Sequence, residues 1–347
     1  MRIMSPLIAV LALVLLALVA AQGPGGQALV GIILPYLAFA VFLGGVVSRV
    51  VNWSSSPVPF RIPTTCGQAN SLPWIKQNKL DCPSTKAGVI GRMLLEVLLF
   101  RSLFRNTKAE MHEGPKLVYG SSKFLWLFAL LFHYCFLVII LRHLRLFMDP
   151  IPSFVAALEF GDGFMQIGLP VFYQTDAIFL GALAFLFLRR VMLTNIRYIS
   201  LPADYFPLFL IMGIAITGIL MRYFLRVDVV AIKQLTLGLA TLSPPAITGQ
   251  IGTIFFVHIF LVCALLIYFP FSKLMHLAGV FMSPTRNMIN NSRMVRHINP
   301  WNDPKIKPHS YASYEDEFRE FMVGADIPVE KELPAQPAEE DAAKVAE

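Results

Sequence analysis

Seven histidines stand in this 347-residue chain, and four of them lie in or at the ends of two long apolar stretches: His133 and His143 in one, His258 and His276 in the other. An ionisable side chain inside a bilayer-length apolar run is costly and is usually kept for a function. A single one could relay a proton or satisfy a packing hydrogen bond. Four, arranged as two pairs on two segments, match what two flat iron macrocycles of the b-haem type require, a neutral imidazole approaching each iron from either side. The other three, His112, His297 and His309, fall in polar segments and read as solvated.

The elements that must carry these histidines follow from composition. Hydrophobic residues make up 56% of the chain and charged ones 15%, with a mean hydropathy of +0.62; globular proteins average about 45–50% apolar. A bilayer-spanning helix needs about 20 apolar residues, and six segments qualify: 5–22, 28–51, 124–146, 171–193, 203–224 and 250–275. The expected fold class is therefore an all-α, polytopic membrane helical bundle of about six transmembrane helices. The formal charge of +7 does not point to nucleic acid, because the Lys and Arg residues flank apolar blocks instead of gathering on one face. Four cysteines, Cys66, Cys82, Cys135 and Cys263, form no C-x-x-C pair, so neither a zinc site nor a chain-borne iron–sulfur cluster is indicated. They read as thiols, with a pairing of Cys66 and Cys82 in their shared loop left open.

Residues 1–27 read as an N-terminal transmembrane helix or signal-anchor, because the short basic start and the small residues Val19-Ala20-Ala21 also suit a signal peptide. The loop 52–123 carries ten Lys and Arg residues, whereas 147–170 carries none. The positive-inside rule therefore places that loop and the C-terminus in the cytoplasm. Within it, residues 89–105 (VIGRMLLEVLLFRSLFR) have apolar side chains at helical spacing, suited to an amphipathic helix lying on the membrane or to one that binds a partner. Its length exceeds what joining two spans needs; it reads as a docking surface for a soluble partner or as a topology signal, with SLPW (71–74) its most structured part. Residues 297–347 read as a cytoplasmic tail, disordered from about Pro328 onward, where the chain is acidic and proline-containing.

Topology makes the third and sixth spans antiparallel, so depth pairs His133 with His276 near the cytoplasm and His143 with His258 near the outside. Ten residues of helix separate the first two ligands by about 15 Å and eighteen separate the others by about 27 Å. Eighteen residues return to the same helix face, while ten leave the ligands about 80° apart. The two helices must then cross at a tilt, and Pro270 is where a kink could absorb part of the mismatch. Small residues such as Ala264 and Cys135 would leave room for a macrocycle or serve plain helix packing.

Two segments, LFHYCFLVIILRHLRLF (131–147) and FFVHIFLVCALLIYFPFSKLMHL (255–277), resemble the gamma subunit of respiratory nitrate reductases, a membrane dihaem cytochrome b. The ten- and eighteen-residue spacings match that family's ligands, and PYLAFAVFLGGVVSRV (35–50) resembles its first span. The resemblance implies a five-helix dihaem core within residues 28–296, with the first span and the long loop as additions. That loop, through RIPTTCGQANSLPWIKQNKLDCPS (61–84) and RMLLEVLLFRSLFRNTK (92–108), is similar to the haem b subunits M of the Dsr membrane complexes of sulfate reducers and sulfur oxidisers. What the resemblance implies is two haem b groups, menaquinone as redox partner, and a cytoplasmic iron–sulfur protein related to heterodisulfide reductase among further subunits.

For a quinone site the sequence offers Arg142 and Arg145, flanking His143, and Glu159, Asp162 and Gln166 in the next loop. Each also has a plainer role, propionate or headgroup contacts for the arginines and solvation for the acids. Lys273, one turn before His276, could pair with a haem propionate or snorkel to the inner surface. Two other classes of function compete: a proton or ion transporter with a histidine relay, and a cofactor-free membrane anchor. Neither requires histidines paired across two helices.

Overall fold

The computed structural model describes residues 2–56, 78–114, 116–168, 170–247, 251–291, 307 and 309–331. Cys66, the SLPW segment, His297 and residues 332–347, named above, lie outside the described residues. The chain divides into two units, Met1–Arg296 and His297–Glu347.

The first unit is a bundle of apolar helices. Helix α1 spans Met4–Ala20, and α2 spans Gly23–Ser54 with a π-helical turn at Leu29–Ile33. Helix α2 starts five residues before the expected second span, because Pro24 sits at its first turn, where the missing N–H costs nothing. After α3 (Lys86–Leu99) comes a hairpin of β1 (Thr107–His112) and β2 (Lys116–Ser121). There follow α4 (Lys123–His143), α5 (Ser153–Asp162), α6 (Gln174–Met192), α7 (Pro202–Ile219), α8 (Val229–Ala240) and α9 (Thr253–Tyr268). The hairpin, α5 and α8 lie outside the six expected spans, in segments read from the sequence as loop or interfacial helix. Asp228 starts α8 by accepting from the Val230 and Ala231 amides, a cap that short-range patterning conceals.

Four helical stretches are long and apolar enough to cross a bilayer: Gly23–Ser54, Lys123–Leu146, Pro202–Leu225 and Thr253–Phe271. Of the other two expected spans, α1 is apolar but 17 residues long, at the lower limit for crossing. Helix α6 carries Asp176, Arg189 and Arg190 at its ends. Outward-facing leucines such as Leu11, Leu15, Leu37 and Leu137 are more than half exposed or nearly so, a surface that only lipid solvates well. The fold is a helical membrane bundle.

Packing leaves the two histidine-bearing helices apart. Helix α4 packs along α6, while α9 packs on α2, α7 and α1. The interior is held by apolar groups such as Val10, Leu210 and Leu261 where α1, α7 and α9 meet, and Cys135, Phe179, Leu183 and Ile211 where α4, α6 and α7 meet. Cys135 and Ala264 serve this helix packing.

The last span does not continue as one helix to His276. It stops at Tyr268, passes through a tight turn at Phe269–Phe271, extends at Ser272 and restarts at His276–Gly279. Pro270 removes a donor and clashes with the preceding turn, and the Ser272 hydroxyl caps the restart by accepting from the Leu274 amide. A break stands where a kink was expected, so a helical rise cannot be applied across all eighteen residues.

In the second unit, α10 (Tyr311–Gly324) begins at Ser310, whose hydroxyl accepts from the Ser313 amide. The Glu315 carboxylate accepts from the Glu330 and Lys331 amides at 2.7 and 2.8 Å, so residues just beyond Pro328, expected to be disordered, return to this helix.

Candidate functional site

All four span histidines hold the same half of the imidazole fixed. His133 Nδ1 lies 2.7 Å from the Ala129 carbonyl, His143 Nδ1 2.7 Å from that of Ile139, and His276 Nδ1 2.9 Å from that of Lys273. A carbonyl only accepts, so in these three Nδ1 donates. His258 Nδ1 lies 2.9 Å from the Thr217 hydroxyl of α7, which itself reaches the Gly213 and Ile214 carbonyls. That hydroxyl proton is spent on a carbonyl, so His258 Nδ1 donates as well. Each ring is left with Nε2 as the nitrogen carrying a lone pair, the arrangement seen when histidine ligates a metal. The polar-segment histidines differ: His112 and His309 are exposed beside Glu110 and Glu317.

The rings of His133 and His276 face each other with centroids 6.0 Å apart and planes at 86°. Two metal–imidazole bonds of about 2 Å each, plus the two half-rings, add up to about this separation. His143 and His258 are close enough for their charges to interact. Gly218 of α7 lies against His258, where an added Cβ would come within 3.4 Å of the ring. One facing imidazole pair, His133 and His276, with His143 and His258 near each other, forms a donor set that fits bis-histidine binding of a macrocycle. Among the described residues no cluster of three or more His, Cys, Asp or Glu converges to hold a bare metal ion.

Beside His143 lies a polar cluster that joins α4, α5, α6 and α7. Arg142 is buried, with Nε 3.1 Å from Asp162 and Nη2 2.6 Å from Asp176. Asp162 also accepts from the Thr175 amide and hydroxyl, and Tyr223 donates to Asp176. The Tyr173 ring is sandwiched between two guanidiniums, Arg142 at 3.8 Å and Arg222 at 4.0 Å from its centroid. Arg222 and Tyr223 belong to a π-helical turn, Leu220–Leu225, which extends α7; such turns recur at functional sites. Arg145 pairs with Glu159 at 2.9 Å. Next to this pair opens a cavity of about 750 Å³ lined by Glu159, Phe160, Gln166, Val171 and Tyr173 among others.

One plainer expectation is thereby corrected. Asp162 and Glu159 are ion-paired, not merely solvated, because the short α5 folds them back towards α4. Lys273 is bonded to Asp204 of α7 at 2.6 Å. Sequence reading missed Thr217, Tyr173, Asp176 and Tyr223. Of these, Asp176 carried a usable signal, an acid at the start of an apolar span.

Near the His133–His276 pair, Asp81 is gripped by Arg101 and Arg105, while Arg92 donates to its backbone carbonyl. Burial alone would raise the Asp81 carboxyl, but the hydrogen bonds and charges of the two arginines outweigh it and hold the group down at about 2.

Residues 101–297 match the family model described as nitrate reductase gamma subunit. Curated relatives include two proteins named Hdr-like menaquinol oxidoreductase cytochrome b-like subunit. The one from Archaeoglobus fulgidus is 45% identical over 284 residues, covering 80% of this chain and 84% of the relative. The one from Archaeoglobus profundus is 45% identical over 277 residues, covering 78% and 82%.

Proposed function

Because the chain belongs to the nitrate reductase gamma subunit family, we propose that it is a membrane dihaem cytochrome b, carrying electrons between menaquinol at its outer end and a cytoplasmic iron–sulfur partner. That partner is related to heterodisulfide reductase, and the complex serves dissimilatory sulfur metabolism. The observation that carries the haem reading is the set of four imidazoles, each with Nδ1 bonded and Nε2 free to ligate. His133 and His276 hold the inner haem and His143 and His258 the outer one. When bound, the haems supply one-electron redox chemistry at two depths. The names of the two Archaeoglobus relatives support the quinol, and the resemblance of the 61–108 loop supports the partner and the sulfur metabolism.

The remaining residues divide the work by location. At the outer end, Glu159 lines the cavity and is placed to accept a proton from a quinol hydroxyl, with Arg145 orienting its carboxylate. The Arg142–Asp162–Asp176 network braces the helix turn that carries His143. At the inner end, the loop 52–123 faces the cytoplasm and meets the soluble partner. A histidine relay fits less well, since it needs each ring bonded to the next group along a path. Here every ring spends Nδ1 on a carbonyl one turn back or on Thr217.

Purified full-length protein is expected to be red, with low-spin b-haem bands at two haems per chain, reduced on adding menaquinol. His133→Ala and His276→Ala should each remove the same haem, and His143→Ala and His258→Ala the other. A colourless preparation from a haem-sufficient host overturns the reading, and loss of different haems from the first two variants overturns the pairing.

A further inference from the structure

Phe100 joins α3 to a short helix, Arg101–Phe104, and adopts a left-handed backbone with φ of 50°. A residue with a Cβ pays for that conformation, so neighbouring contacts must impose it. They are present on both sides. The Leu98 and Leu99 carbonyls accept from Tyr134 and Trp126 of α4, the helix that carries His133. The Glu96 carboxylate accepts from the Ser102 amide and hydroxyl and pairs with Arg286 at 3.6 Å. Arg92, buried, also reaches the Thr285 carbonyl, and the Asn290 amide donates to the Pro83 carbonyl at 2.8 Å. Thr285, Arg286 and Asn290 follow His276 in the chain.

Residues 78–105 thus bridge the helix that bears His133 and the segment that follows His276. Their product at the site is one contact. The half-buried Phe100 ring stands edge-on to His133, with centroids 5.0 Å apart and planes at 87°.

We propose that residues 78–105 form a cap over the inner histidine pair, in which the Asp81–Arg101–Arg105 clamp seats Phe100 against His133 and so sets the redox potential of the inner haem. The proposal rests on the dihaem reading above. Phe100 and Asp81 are positioning residues: they touch no substrate and act through His133. The oxidised iron carries one more positive charge than the reduced iron and is the form that water and a polar surround favour. An apolar wall that fixes the ligand ring and keeps water away therefore raises the potential, since the apolar shell around a metal site controls its dielectric.

The test is a redox titration of the full-length, haem-loaded protein at the b-haem band, resolved into two components, with electron paramagnetic resonance of the oxidised state. Phe100→Ala and Asp81→Asn are each expected to keep both haems and to shift one component to lower potential with altered g-values, leaving the other unmoved. Phe100→Tyr, which keeps the ring, should restore the original value. The same shift should persist in a His143→Ala background, where the outer haem is gone. Phe100→Asn, polar and suited to the left-handed backbone, replaces Phe100→Ala if the smaller side chain costs the fold, and the same shift is expected. Two unmoved components with haem content intact, or a shift confined to the outer haem, overturn the proposal. If instead the parent protein lacks a haem lost in both His133→Ala and His276→Ala, it is the dihaem reading that fails.

Discussion

An imidazole ligates a metal through a nitrogen whose lone pair is free, so its proton must be parked on the other nitrogen. In three of the four span histidines the parking place is a backbone carbonyl, which no substitution removes. His258 meets a side chain, the Thr217 hydroxyl 41 residues away, besides the Ile214 carbonyl. Loss of such a support typically weakens metal affinity by about 10–100-fold. Thr217→Val, equal in shape but without the hydroxyl, should therefore lower the occupancy of the outer haem and leave the inner one intact, while Thr217→Ser should keep both. Haem stoichiometry, with the redox components counted separately, checks this. The histidines were visible in the sequence because an ionisable group stands out in an apolar run. Thr217 was not, since its role depends on how α7 approaches α9, and no local pattern encodes that approach.

At the scale of elements, the last span is shaped by its break at Pro270, which brings His276 opposite His133. Helix α2 holds that break from the side: a Cβ on Gly45 would come within 2.6 Å of Pro270 Cβ, a rigid ring that cannot swing away. Gly45→Ala is expected to destabilise the bundle by about 1–3 kcal/mol through overpacking. It should release the inner haem before the outer. The neighbouring Gly44 has open space around its Cβ position, so Gly44→Ala should be neutral or slightly stabilising, since alanine favours a helix by about 1 kcal/mol over glycine. Thermal unfolding of the two variants with the haem band as signal separates these outcomes. Hydropathy located the span, and Pro270 marked where it would bend. The size of the break was hidden because it depends on the Gly45 contact and on the cap from Ser272.

For the whole molecule, charge asymmetry is the guide to orientation. The basic loop 52–123 and the Lys- and Arg-free loop 147–170 should lie on opposite sides of the membrane. Among the described residues, Phe100 of the first meets His133, whereas Asp162 and Glu159 of the second pair with Arg142 and Arg145, which flank His143. A cysteine introduced at Glu113 in the hairpin turn should react with an impermeant thiol reagent only in inside-out vesicles. One at Ser153 should react only in intact cells, each read as labelling added to that of the parent chain. Reaction of both from the same side would dismantle the proposed placing of the two loops on opposite faces of the membrane.

Hydropathy and residue type act locally and add along the chain, so the sequence by itself determined the membrane class, the approximate spans and the four histidines set in or beside apolar runs. It also carried the family resemblance, through the unequal spacings of ten and eighteen. Only the tertiary structure decided which group holds each Nδ1, that Arg142 and Arg145 pair with Asp162, Asp176 and Glu159, and that Lys273 pairs with Asp204. It alone revealed Phe100 standing over His133. Each of these joins residues on separate elements, and their energies depend on distances that exist only once the helices have packed.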